Sequence, residues 1–256
     1  MSDLITSGRL TTSPVGAHVT SAETRHGELF YLSTASRSGV GESIRGGIPV
    51  IAPWFDDLLG REPAHGWARR SEWRIRSEAG GFRASLGRDG TVLRLYVMEL
   101  TDGIHVELSA LNESDEPRTV QLAFHPYFAV SDLLHTTVTG LEDLPLLDRL
   151  TGETTRGDTS LRFTDGEYDR IALGSPEVTV TDTARRITLT SDGADSTVVW
   201  NPGREKAASM SDIGEGEWKR FLCVEPALLG EEQQGVTLAP GEDTSLGMTV
   251  AVAPLN

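Results

Sequence analysis

The chain has 256 residues, 38% of them hydrophobic, and a formal net charge of −15. Such an acidic chain repels nucleic acid and anionic membrane surfaces, so neither is expected as a partner. Cys223 is the single cysteine, which excludes an intramolecular disulfide and suits a reducing compartment. No apolar run approaches the roughly 20 residues of a membrane span, and the first residues lack the basic and apolar regions of a signal peptide. The expectation is a cytoplasmic monomer, folded as one domain over residues 1–256, because β domains of this length are common as single units.

Taken in order, the pattern is mostly strand. Candidates are Glu28–Ser33, Trp73–Ser77, Thr91–Leu100, Ile104–Leu111, Thr119–Phe124, Thr136–Thr139, Val178–Thr181, Arg186–Thr190, Thr197–Trp200, Arg220–Val224 and Thr244–Val252. From Ile104 to Ala110 every second residue is apolar, with His105, Glu107 and Ser109 on the other side. Gly80–Gly81, Asp89–Gly90 and Asp102–Gly103 are turn signals, the last two suited to hairpins. Helix is confined to a short amphipathic piece over 204–213, after Asn201–Pro202. Short strands at this spacing predict an all-β, antiparallel sandwich or barrel with little helix.

The stretch RGGIPVIAPWFDDLLGREPAHGWARR, from Arg45 to Arg70, interrupts the strand pattern. Gly46 and Gly47 permit positive φ and a close backbone approach, and Pro49, Pro53 and Pro63 break regular structure. The loop also holds His65, two forked cations in Arg45 and Arg69, and aromatic surface in Trp54, Phe55 and Trp67. That set suits the wall of a pocket for a small anion, with a tryptophan available to stack on it. It equally suits a long loop packed by its own aromatics. From Arg61 to Arg94 arginines outnumber acids in an otherwise acidic chain, which also hints at an anionic ligand.

Three polar positions could carry chemistry. His125 closes the strand Thr119–Phe124, and Pro126 stops the ladder behind it. An imidazole at a strand end is placed to exchange protons near neutral pH, or else caps a sheet edge. Glu225 follows Phe221–Val224, where burial would raise its pKa and suit it to general-base work. Asp169 and Arg170 form a further polar pair, which as a surface turn would count for little. The six histidines show neither HxH nor HExxH spacing, and Cys223 has no CxxC partner, so no metal is expected. Glycine-rich nucleotide loops and the GxSxG elbow are also missing, so nucleotide-binding and serine-hydrolase readings fall.

The pieces RGGIPV, PWF, PAHGWAR, HPYF, VVWNP and CVEPA occur in that order between Arg45 and Ala227. Together they resemble the glucose-6-phosphate 1-epimerase family, within the wider aldose 1-epimerase group. The resemblance implies a galactose-mutarotase-like β-supersandwich and an isomerase that interconverts α and β anomers of a hexose 6-phosphate. It implies His125 and Glu225 as the catalytic pair, and Arg45, His65, Arg69 and Asp169 as substrate contacts. The chain departs from the family pattern at Ala64, Pro126 and Ala172, positions that bear on sugar and phosphate preference. Open alternatives are a mutarotase for free aldoses, a non-catalytic sugar-binding protein on the same fold, and a glycoside hydrolase or lyase using Asp169 and Glu225.

Overall fold

The alternation seen around residue 104 lies at the centre of a nine-stranded antiparallel sheet. Thr91–Leu100 pairs along its whole length with Gly103–Asn112, which pairs in turn with Asp243–Pro254. Leu93, Leu95 and Val97 meet Leu108, Val106 and Ala110 on the buried side. The computed structural model describes residues 4–157 and 160–255. From edge to edge this sheet runs Leu161–Arg162, Thr137–Thr139, Val178–Thr181, Arg185–Asp192, Asp243–Pro254, Gly103–Asn112, Thr91–Leu100, Gly81–Arg88 and Arg74–Glu78.

A second, eight-stranded sheet has the order Thr154–Arg156, Pro145–Asp148, Tyr168–Ala172, Ser196–Asn201, Phe221–Leu228, Leu122–Phe124 and Val50–Ile51, with Tyr127–Ala129 also paired to Phe221–Leu228. The main core lies between the sheets and draws Leu222, Val224 and Phe124 from this one and Leu93, Val106 and Leu246 from the other. The α-helix Gly203–Ser209 is short, as expected, but ends before the predicted residue 213. Among the described residues the molecule is therefore all-β in character, as its composition and turns predicted.

Two local expectations shift. The Asp102–Gly103 turn moves by one residue, since Leu100 pairs with Gly103 and the loop is Thr101–Asp102. Gly103 is needed for a different reason, because a Cβ there would lie 1.8 Å from the Val250 carbonyl oxygen. The predicted strand Thr119–Phe124 divides at Gln121 into Arg118–Val120 and Leu122–Phe124, which join different sheets. The buried Gln121 side chain satisfies the break: its amide donates to Leu229 O and Gln233 O and accepts from Phe55 N–H.

The Gly46–Gly47 turn confirms the expected close approach. Gly47 has φ +61°, and a Cβ there would fall 2.1 Å from Val19 O and 2.7 Å from the His18 ring. His18 Nε2 lies 2.7 Å from Gly46 O and anchors the turn from beneath. Gly47→Ala should therefore destabilise the protein by about 1–3 kcal/mol, through strain at positive φ and steric conflict. A urea unfolding midpoint equal to that of the wild type would contradict this.

Candidate active site

The Gly47–Ile51 segment fixes one side of the site. Tyr127 N–H donates to Gly47 O (2.9 Å), His125 N–H donates to Pro49 O (3.1 Å), and Ala123 pairs with Ile51. On their other side Leu122–Phe124 and Tyr127–Ala129 both pair with Phe221–Leu228. The two short ladders share one register, Ala123 with Ala227 and Tyr127 with Cys223, so the unpaired step between them sets His125 opposite Glu225. Glu225 is thus in mid-strand, since the strand that was expected to end at Val224 continues to Leu228.

The same register runs on across the sheet. Glu225 pairs with Val198 and Val198 with Ile171; one row along, Cys223 pairs with Trp200 and Trp200 with Asp169. Cross-strand partners and alternate residues share a face. His125, Glu225, Cys223, Trp200 and Asp169 therefore face the same way. An apolar patch of Ile171, Val198, Ala123 and Ala227, capped by Phe55, packs on this face. His125 and Glu225 are consequently almost dry, at 6% and 1% exposure.

Arg45, His65, Arg69, His125, Asp169 and Glu225, the six positions singled out in the sequence, all line one cavity of about 220 Å³. That volume lies below the roughly 300–1,000 Å³ of ordinary ligand pockets and suits a single sugar ring. Trp200 lines it, whereas Trp54 and Trp67 are packed into the core and do not. The indole of Trp54 is held by Pro63 O. The long loop thus contributes His65, Arg69 and the Phe55 cap rather than a stacking tryptophan. Asp56, Arg149 and Lys206 also line the cavity; Asp56 directly follows the PWF motif, whereas no motif surrounds Arg149 or Lys206.

His125 Nδ1 lies 3.4 Å from Glu225 Oε1 and makes no hydrogen bond. The imidazole lies parallel to the Tyr127 ring at 4.8 Å and edge-on to Trp200 and His65. Burial pushes the Glu225 carboxyl well above its ordinary value, with Asp169 adding to the shift. Burial pulls His125 well below its own, helped by His65, Arg69 and Arg45. The expectation that burial would raise Glu225 holds. The same burial also disfavours the imidazolium, so both shifts favour a carboxylic acid beside a neutral imidazole.

The cations are unequal. Arg45 donates through Nε and Nη2 to Asp212 Oδ2 and through Nη1 to the Tyr127 hydroxyl (2.7 Å). Arg149 bridges Asp56 and Asp169, and Lys206 pairs with Glu167. Arg69 has one hydrogen bond, to Ala64 O (3.1 Å), and its buried Nε has none. Burial, with Arg70 and Arg45 nearby, lowers its pKa to about 10. His65 accepts from Asp56 N–H through Nδ1 (3.2 Å), and burial followed by Arg69 holds it well below its ordinary pKa. Asp169 is raised, chiefly by burial, and its Oδ1 has no hydrogen bond.

The aldose 1-epimerase family model matches residues 5–251. The chain belongs to the aldose 1-epimerase family. A protein of Cenchrus ciliaris is 30% identical over 268 residues, covering 93% of this chain and 80% of that one. One of Escherichia coli K12 is 30% identical over 223 residues, covering 81% and 75%. Both bear the name "Putative glucose-6-phosphate 1-epimerase". The crystal structure titled a putative mutarotase from Salmonella typhimurium superposes with a TM-score of 0.84 at 23% identity, covering 98% of this chain and 90% of that one. A galactose mutarotase-like protein of Lactobacillus casei gives 0.75 at 17% identity, covering 98% and 100%. The chain thus has the mutarotase-type sandwich that its motifs implied.

The raised carboxyl has a consequence for an aldose 1-epimerase of this build. A group whose folded pKa is raised contributes stability that is present below the unfolded value, about 4.5 for Glu225, and is lost as pH rises through the folded value. Glu225→Gln does not titrate. Its melting temperature should therefore gain on the wild type progressively from pH 5 to pH 8. A difference independent of pH would show that Glu225 is not held in the acid form.

Proposed function

We propose that this chain is a hexose-6-phosphate mutarotase, with glucose 6-phosphate as the first substrate to test. The observation that carries the proposal is a concentration of unsatisfied polar atoms in one sugar-sized cavity. Arg69 Nε, His125 Nδ1, Asp169 Oδ1 and Glu225 Oε2 are all buried and lack hydrogen bonds. Each such group costs roughly 1–3 kcal/mol, a cost that a polyhydroxylated ligand would remove. The names of the two relatives support the phosphorylated hexose. We read the chain as a monomer working as one domain. A phosphorylated sugar fits a cytoplasmic location.

Anomers interchange when the hemiacetal opens, the C1–C2 bond turns, and the ring closes on the other face. Opening takes a proton from O1 and gives one to O5. Glu225 as carboxylate takes the first and His125 as imidazolium gives the second. The neutral resting pair reaches that state when the two groups close from 3.4 Å into a hydrogen bond and one proton crosses from Glu225 Oε1 to His125 Nδ1. No net proton is gained or lost, and closure reverses both transfers. Each transfer is worth about 10²–10⁴-fold.

The phosphate falls to Arg69, whose guanidinium is desolvated and short of acceptors. Phosphate matches its fork of donors. It would also offset the positive field that depresses His125. Arg45, committed to Asp212 and Tyr127, would support this contact and hold the ring under His125. Asp169 and His65 would take sugar hydroxyls.

Exchange NMR on glucose 6-phosphate, with free glucose and galactose alongside, tests the activity. The expected result is anomer exchange faster on the phosphorylated sugar. Tight binding without faster exchange would leave only a sugar-binding protein. Glu225→Gln and His125→Asn should each lower turnover by at least about 10²-fold. The double variant should lose far less than the product of the two, because the pair acts as a unit. Arg69→Ala should weaken use of the phosphorylated sugar by roughly 1.5–3 kcal/mol, the worth of a charged hydrogen bond. Equal losses on the free sugar would move Arg69 out of the phosphate role.

A further inference from the structure

Cys223 has no part in the proposed chemistry, yet it is the one thiol of the chain and stands two residues from Glu225 on the same face. One donor atom each from His125, Cys223 and Glu225 lies within 4.8 Å of the others, and all three side chains are buried. Two of the possible donors, His125 Nδ1 and Glu225 Oε2, have no hydrogen bond to lose. We propose that His125, Cys223 and Glu225 form a site for a thiophilic divalent cation, zinc being the type case, and that occupancy switches the enzyme off.

The geometry is close to what zinc requires. Bonds of about 2.0–2.3 Å to nitrogen, oxygen and sulfur at tetrahedral angles set neighbouring donors roughly 3.3–3.7 Å apart. His125 Nδ1 and Glu225 Oε1 already stand 3.4 Å apart. Cys223 Sγ lies within 4.8 Å of the other two donors and has to move closer to complete the set. The alternate positions 223 and 225 with a cross-strand residue at 125 give three donors from a sheet. His125 and Glu225 line the cavity, from which the ion and a water to complete its coordination would enter.

The ion has to displace protons to bind. Glu225 and the Cys223 thiol are held in their acid forms by burial. The cation displaces both protons to solvent, and a carboxylate and a thiolate then neutralise its two charges. His125 binds as neutral imidazole, the form burial already imposes. No electron moves. Arg45, Arg149 and Lys206 have acidic partners that temper their repulsion of the ion, whereas Arg69 has no ion pair among the described residues. Two groups of the proposed proton couple would be locked in coordination, which is why activity should stop. That consequence rests on the roles given above to His125 and Glu225, whereas the binding itself does not.

The test uses the full chain with zinc alone, and with cobalt as a spectroscopic probe. Titration calorimetry should give one zinc per chain with proton release, and cobalt should give a thiolate charge-transfer band. Anomer exchange should fall with the same concentration dependence and return on adding EDTA. Cys223→Ser and Cys223→Ala should keep basal exchange, lose the band, and bind zinc at least about tenfold more weakly, since even supporting groups around a metal contribute 10–100-fold. Using both variants guards against one failing to fold. Undetectable stoichiometric zinc binding, or equal affinity in the two variants, would overturn the site. A chain that binds zinc with the band but catalyses no exchange would keep the site and overturn the function instead.

Discussion

The molecule depends on a cross-strand pair that is kept dry. His125 and Glu225 meet because two short ladders share a register on Phe221–Leu228 and leave one unpaired step between them. Pro126 makes that step, since it cannot donate to a ladder. On the other side the His125 and Tyr127 N–H groups donate to Pro49 O and Gly47 O of the Gly47–Ile51 segment, which closes that flank. The glycine turn is needed to bring that segment in, and His18 to hold the turn. Phe55 and the patch of Ile171, Val198, Ala123 and Ala227 then exclude water. Each feature alone is ordinary; together they place an acid and a base where neither keeps its solution pKa.

Desolvation explains how one pair can serve both directions of a reversible reaction. It moves the carboxyl up and the imidazole down. In the proposed reaction the pair acts as base and acid at once, without exchanging protons with solvent. The cost is borne by stability, in buried polar atoms without partners. A sugar ring with hydroxyls on every side is the ligand that would satisfy them. The cations divide in the same spirit: Arg45 and Arg149 hold acids and aromatic groups in place, while Arg69 is left short of acceptors.

The candidate site was legible where residues must be special in type. Histidine before proline, glutamate inside an apolar run, and paired glycines each require a chemical or conformational reason; the first two line one cavity, and the glycines form the turn beside it. The long strands at Thr91–Leu100 and Val178–Thr181 were legible because hydrophobic alternation tracks burial on one side. Other elements were not. The Thr- and Ser-rich strands Leu10–Ser13 and His18–Thr24 show little alternation. Gly81–Arg88 buries Phe82 and Ala84 but carries glycine at two positions, which weakens the pattern. Arg149, Asp56 and Asp212 gain their roles only from long-range pairing, for which local sequence has no signature. The split at Gln121 is of the same kind, since it depends on carbonyls more than a hundred residues away.

Nitrogen NMR of the His125 ring reads the central claim directly, because shifts of the two ring nitrogens report protonation and tautomer. The account predicts a neutral imidazole in the ligand-free protein from pH 8 down to pH 5, with movement toward the imidazolium when glucose 6-phosphate binds. A ligand-free His125 that titrates with an ordinary midpoint near 6.5 would contradict the desolvated, proton-sharing pair on which the account rests.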